Sequence, residues 1–89
     1  MLLSSMNSRQ RKTLEAIFSD PVSKNLLWDD IESLLKAVGC KVRNRGGSRV
    51  GFAKDKEVLY AHRPHPQKEA KAFAVNKVRA FLESIGVKP

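Results

Sequence analysis

Residues 40–61 read CKVRNRGGSRVGFAKDKEVLYA, and the change of period at their start decides the fold. Upstream of Cys40, apolar residues recur at spacings of three and four; from Cys40 onward the spacing falls to two. Residues 40–45 are predicted as a strand, which puts Lys41, Arg43 and Arg45 on one face and Cys40, Val42 and Asn44 on the other. Gly46-Gly47 supplies a turn. A second strand follows over 49–53 with Val50 and Phe52 inward, then an Asp55-Lys56 turn and a third strand over 57–61. Three short runs joined by tight turns read as an antiparallel meander.

Working outward, Trp28, Ile31, Leu34, Leu35 and Val38 share one face of a helix, Asp29 and Asp30 occupy its first turn, and Gly39 suits the position that ends it. Residues 7–18 read as an earlier helix, capped by Asn7 or Ser8, with Leu14, Ile17 and Phe18 as its stripe and Asp20-Pro21 ending it. Downstream, the prolines of His62-Arg63-Pro64-His65-Pro66 remove backbone donors, so the segment is expected to leave the sheet. A long helix is predicted over 67–85, with Phe73, Ala74, Val78, Phe81, Leu82 and Ile85 on its apolar face.

This order implies an α+β domain: a three-stranded antiparallel sheet with helices on one face and the opposite face free for a ligand. After Ser23 the order α-β-β-β-α matches double-stranded-RNA-binding topology. Residues 1–22 are expected to form a tail and an extra N-terminal helix, and residues 23–89 the main unit of one compact domain. Met1 to Ser5 shows no periodicity, and Met6 offers a second start.

The 89 residues bury only about 60% of the unfolded chain's surface, which leaves no room for separate cofactor and substrate domains. One cysteine, Cys40, cannot form an intrachain disulfide, and neither a signal-peptide pattern nor a bilayer-length apolar run is present. A reducing cytoplasm is the expected location, with no membrane partner.

The formal charge is +8, and its placement is uneven. Residues 1–39 carry five basic and five acidic side chains, whereas residues 40–89 carry twelve and four. A concentrated basic face suits a polyanion, because neutralising phosphates releases condensed counterions. Lys41, Arg43, Arg45, Arg49, Arg63, Lys68 and Lys71 are the candidate RNA contacts. Lys68-Glu69-Ala70-Lys71 is similar to the lysine motif with which double-stranded-RNA-binding domains hold phosphates. The bland alternative is a solvated face that keeps the chain soluble. The two N-terminal helices could also form a DNA-binding pair, but their segment has no net charge, which favours RNA.

No phosphate-binding loop and no zinc-ligand spacing occurs, so neither metal nor cofactor is expected. Ser48 reads as a turn residue. Asp29, Asp30 and Glu32 read as solvent-facing groups at a helix start and are assigned no chemistry. His62 and His65 remain. An imidazole can move a proton near neutral pH, and RNA supplies its own nucleophile in the 2′-hydroxyl, so a metal-free ribonuclease needs a base, an acid and cations. Equally, both histidines could be turn residues supporting the strand-to-helix junction.

Over residues 28–87 the sequence resembles the HicA toxin family of bacterial type II toxin-antitoxin pairs. The resemblance rests on the helix closed by Val38-Gly39-Cys40, the Arg45-Gly46-Gly47-Ser48 turn, the His65-Pro66 pair and the closing Ile85-Gly86-Val87. It implies a double-stranded-RNA-binding-like fold, cleavage of mRNA without a metal, and neutralisation by a HicB-like antitoxin. The family's catalytic histidine follows the Gly-Ser turn, where this chain has Arg49. An arginine stays protonated and can stabilise a phosphorane but makes a poor base. His65 is therefore the first candidate for acid-base work and His62 the second, with Arg49 as a charge stabiliser. The alternative is a non-catalytic module that binds RNA or an antitoxin.

Overall fold

Asn7 opens the first helix with a reciprocal cap: its Oδ1 accepts from the Gln10 amide at 2.8 Å, and its own amide donates to Gln10 Oε1 at 2.9 Å. The structure, a computed structural model, describes residues 6–89. Met1 to Ser5, and with them the expectation about that segment, lie outside the described residues. The elements are α1 (Ser8–Ile17), α2 (Trp28–Ala37), β1 (Lys41–Asn44), β2 (Arg49–Lys54), β3 (Glu57–His62) and α3 (Ala72–Ser84). The strands form an antiparallel sheet in the order β1-β2-β3, the α+β arrangement expected.

The α2 stripe is buried throughout: Trp28, Ile31, Leu34 and Leu35, with Val38 just beyond, are all close to fully enclosed. Each such side chain contributes about 1.5–3 kcal/mol relative to exposure. They pack on Val50, Phe52 and Leu59 of the inner sheet face, with the Trp28 and Phe52 rings 6.3 Å apart at 60°. Gly39 follows at φ 100, a conformation in which a Cβ would be strained, and the chain turns there into β1. Leu14 and Ile17 of α1 enter the same core, so the N-terminal helix and the rest of the fold share one interior. Arg79 of α3 ties this layer together by donating to the Ile17 and Ser19 carbonyls at 2.9 and 2.7 Å.

Three expectations are corrected. β3 runs one residue further than expected, so His62 is a paired strand residue opposite Arg49 and not the start of the exit segment. Prolines at 64 and 66 act only beyond it, and the Arg63 amide still donates to the Ser48 carbonyl at 2.8 Å. Next, α3 begins at Ala72, not near residue 67. The intervening stretch is held extended against the segment before α2: Leu27 and Glu69 form a bridge, the Trp28 amide donates to the Lys68 carbonyl at 2.9 Å, and the Ala70 amide to the Leu26 carbonyl at 2.8 Å. Finally, Phe73 is 66% exposed, while Val75 is fully buried. At about 100° per residue Phe73 lies roughly 140° from Val78, on the outer stripe with Lys77 and Ala80.

Candidate nucleic-acid interface

Cross-strand register sorts the side chains of the sheet. Lys41 opposes Ala53, which opposes Val58; Arg43 opposes Gly51, which opposes Tyr60; Arg49 opposes His62. Because partners share a face and successive residues alternate, all of these belong to the face away from the helices. The alternation read as a basic face is therefore present, with Lys41, Arg43 and Arg45 all exposed. Tyr60 sits at its centre, and the Arg45 guanidinium lies 4.5 Å from the Tyr60 ring centroid. Gly51 lies beneath that pair and leaves the middle of the face shallow: a Cβ there would already touch the Tyr60 ring at 3.6 Å and Arg45 Cδ at 3.7 Å. Lys41, Arg43, Arg45 and Tyr60 thus border an open groove of ≈ 560 Å³.

At one end of this face the β1–β2 turn presents Arg49. Its Nη2 donates to the Arg45 carbonyl at 2.9 Å, and its amide donates to the Gly46 carbonyl at 3.1 Å, so the side chain is folded over its own turn. Gly46 and Gly47 make this possible with φ values of 96 and 59. Arg45, Arg49, Tyr60, His62 and Lys77 line a depression of ≈ 340 Å³. Lys77 arrives from α3 and donates to the Tyr60 carbonyl at 2.7 Å.

His62 also borders a second cleft, of ≈ 210 Å³, shared with Arg63, His65, Lys71 and Phe73. The two histidines are thus brought to one opening, although they leave the chain in different ways: His62 from the end of β3 and His65 from the following loop. Lys71 stands at the N-terminal boundary of α3, whose first turn has no side-chain cap. Lys68 does not line this cleft.

Arg63 is committed elsewhere. Its Nε donates to Glu32 Oε2 at 2.6 Å and its Nη1 to Asn44 Oδ1 at 2.8 Å. Trp28 Nε1 donates to the same Glu32 oxygen. Donating to the Glu32 carboxylate raises the Arg63 pKa above the ordinary guanidinium value, which keeps it charged. This corrects the view of Glu32 as a solvated helix-start residue: its side chain is only 13% exposed and anchors the junction between β3 and α3. Asp30 likewise pairs with Arg9 of α1 at 2.8 Å.

Among the described residues, no three His, Cys, Asp or Glu side chains gather in a way that could hold a metal ion, and no helix is long and apolar enough to cross a membrane. The family model described as the HicA toxin of bacterial toxin-antitoxin matches residues 28–87, from the first residue of α2 to just past α3.

The chain belongs to the HicA toxin family. No curated protein and no solved structure matches it. The HicA segment contains every candidate site residue, and α1 lies outside it. Within that segment, sequence reasoning passed over Tyr60, Lys77 and Phe73. Tyr60 was visible as the residue two before His62 on the same strand face; Lys77 and Phe73 needed the position of α3 to be known. The HicA resemblance points to a histidine at the start of β2. Here Arg49 holds that place, and the imidazole on the same face comes from the neighbouring strand as His62.

Proposed function

We propose that this HicA toxin cleaves RNA in the cytoplasm without a metal, using a proton-transfer group supplied by β3 in place of one on β2. The observation that carries this reading is the Arg49–His62 cross-strand pair, which sets a permanent cation beside an imidazole at the end of a basic face. Directly opposite residues have Cβ atoms about 4.5–5.5 Å apart, a separation that one phosphodiester can bridge. That geometry supports His62 in the base role ahead of His65, the reverse of the order drawn from the sequence. In the proposed step His62 takes the 2′-hydroxyl proton, the 2′-oxygen bonds to phosphorus, and the bond from phosphorus to the 5′-oxygen breaks. His65 as the imidazolium returns a proton to the departing oxygen, leaving a 2′,3′-cyclic phosphate and a 5′-hydroxyl. Arg49 and Lys77 stabilise the added negative charge on the phosphorane, while Lys41, Arg43, Arg45 and Lys71 hold flanking phosphates. Arg63 positions the junction and contacts RNA little, its donors being taken by Glu32 and Asn44.

The same basic face is the proposed docking site of a HicB-like antitoxin, whose carboxylates compete with RNA phosphates. The test is inducible expression in a bacterial host, with growth and mRNA integrity followed together for the parent and for His62→Ala/His65→Ala. Growth arrest with mRNA loss that disappears in the double variant supports the reading. Arrest and cleavage undiminished in the double variant overturn it. Normal growth and intact mRNA with the parent favour the second reading, a non-catalytic module binding RNA or an antitoxin, to which Arg49 at the turn-histidine position points.

A further inference from the structure

We infer that Phe73 is a stacking platform for an unpaired RNA base next to the cleaved phosphate, which makes the substrate single-stranded at that nucleotide. The inference rests on the proposed RNA reading and names its substrate class and a specificity residue.

Phe73 is 66% exposed, on the outer stripe of α3, and contributes nothing to the core that Val75, Val78, Phe81 and Leu82 complete. One exposed ring is ordinary on a protein surface by itself; the surroundings of this one give it a use. It borders the ≈ 210 Å³ cleft with His62, His65 and Lys71, and also a smaller ≈ 70 Å³ hollow with His62 and Lys77. Phe73 and His62 thus share two adjoining depressions, and the charged or titratable groups lining them are two imidazoles, the Lys71 and Lys77 ammonium groups and the Arg63 guanidinium, beside apolar side chains and Gln67. Among the described residues, no carboxylate lines either depression. An apolar ring whose charged and titratable neighbours are all cations or imidazoles fits a ligand with a flat π face carried on an anionic backbone, which describes a nucleotide. A protein segment rich in carboxylates would satisfy the rim but would leave the ring without a matching flat partner. A base held in a duplex is stacked and paired on both sides and cannot reach a side chain, so the nucleotide on Phe73 must be unpaired.

The experiment measures binding of fluorescent single-stranded and duplex oligoribonucleotides by anisotropy across a salt series. It uses the full-length double variant His62→Ala/His65→Ala as the parent, so that the RNA survives, and adds Phe73→Ala, Phe73→Leu or Phe73→Tyr to it. Loss of one base–aromatic stack should weaken single-stranded binding by about 5- to 150-fold for Phe73→Ala. Phe73→Leu should lose nearly as much, since it keeps apolar area without a π face, and Phe73→Tyr should bind like the parent. The salt slope should be unchanged, because no phosphate contact is removed, and duplex binding should be unaffected. Single-stranded binding within twofold of the parent for Phe73→Ala overturns the inference while leaving the RNA reading intact, as does an equal loss on duplex. Phe73→Ala that instead loses capture of a HicB-like antitoxin, with RNA binding unchanged, overturns it in favour of a protein contact. A parent that binds no RNA at all overturns both.

Discussion

Arg63 Nε lies 2.6 Å from Glu32 Oε2, so the residue that follows β3 is pinned to the second turn of α2 across 31 positions of sequence. Glu32 accepts at the same time from Trp28 Nε1, and Arg63 reaches on to Asn44 at the end of β1. One carboxylate thereby fixes the spacing between α2, β1 and the loop that carries His65. Replacing it with Gln keeps the size but removes the charge that two donors share. Glu32→Gln should cost about 1–2 kcal/mol, given that Arg63 is partly exposed, which is a fall in melting temperature of roughly 4–16 °C for a domain of this size. Thermal denaturation followed by circular dichroism checks it; an unchanged midpoint would show that the bridge is incidental.

The cross-strand pair makes a prediction about position rather than loss. If an imidazole anywhere on that end of the sheet face serves, then Arg49→His should restore cleavage to a His62→Ala background. Single substitution His62→Ala should reduce the initial rate on a short RNA by about 10²–10⁴-fold, the usual contribution of a positioned acid-base group. Partial recovery in Arg49→His/His62→Ala is the expected result. No recovery, with the variant folded, would mean that the two positions are not equivalent on the face.

The HicA match begins at residue 28, yet Ile17 of α1 is fully buried and Leu14 nearly so. Arg79 further ties α3 to the end of α1 through the Ile17 and Ser19 carbonyls. Ile17→Ala should therefore destabilise the chain by about 2–5 kcal/mol, and a chain starting at Trp28 should fail to fold stably although it holds the whole family segment. Urea titration gives the first value, and proteolysis of the shortened chain tests the second. A stable, protease-resistant fragment would show α1 to be an ornament.

Burial beneath the sheet pushes the Cys40 thiol up to about 11, against which the nearby Lys54 ammonium works only partly. The folded state favours the neutral thiol over the thiolate, so this group's contribution to stability is present below its unfolded value of 9.0 and is lost as pH rises from there through 11. At pH 8 the native protein should react with iodoacetamide far more slowly than the urea-unfolded chain, since the thiolate is the nucleophile. Mass spectrometry of alkylated protein reads the ratio, and comparable rates in the two states would contradict the burial argument.

How much of this was legible in the residues is best seen at particular places. The α2 stripe from Trp28 to Val38 and the alternation through Lys41, Arg43 and Arg45 stand in the structure as read, because a helix face and a strand face follow from local period alone. The turns at Gly46-Gly47 and Asp55-Lys56 were equally local, set by residues that tolerate positive φ. What escaped the sequence lies wherever one segment's conformation depends on another far along the chain. Residues 67–71 carry helix-forming side chains, but they are drawn out by backbone bonds to Leu26 and Trp28, and this delays α3 and turns Phe73 outward. His62 stays in the sheet because Arg49 is there to pair with it.

The sequence by itself therefore determined the order of elements, the basic sheet face and the HicA resemblance, since periodicity, turn chemistry and charge are properties of neighbours. Only the tertiary structure decided that Arg49 and His62 face each other, that Glu32 holds Arg63, and that Phe73 stands beside both histidines in open solvent. Those relationships are fixed by long-range backbone pairing and burial, whose register no local window of residues contains.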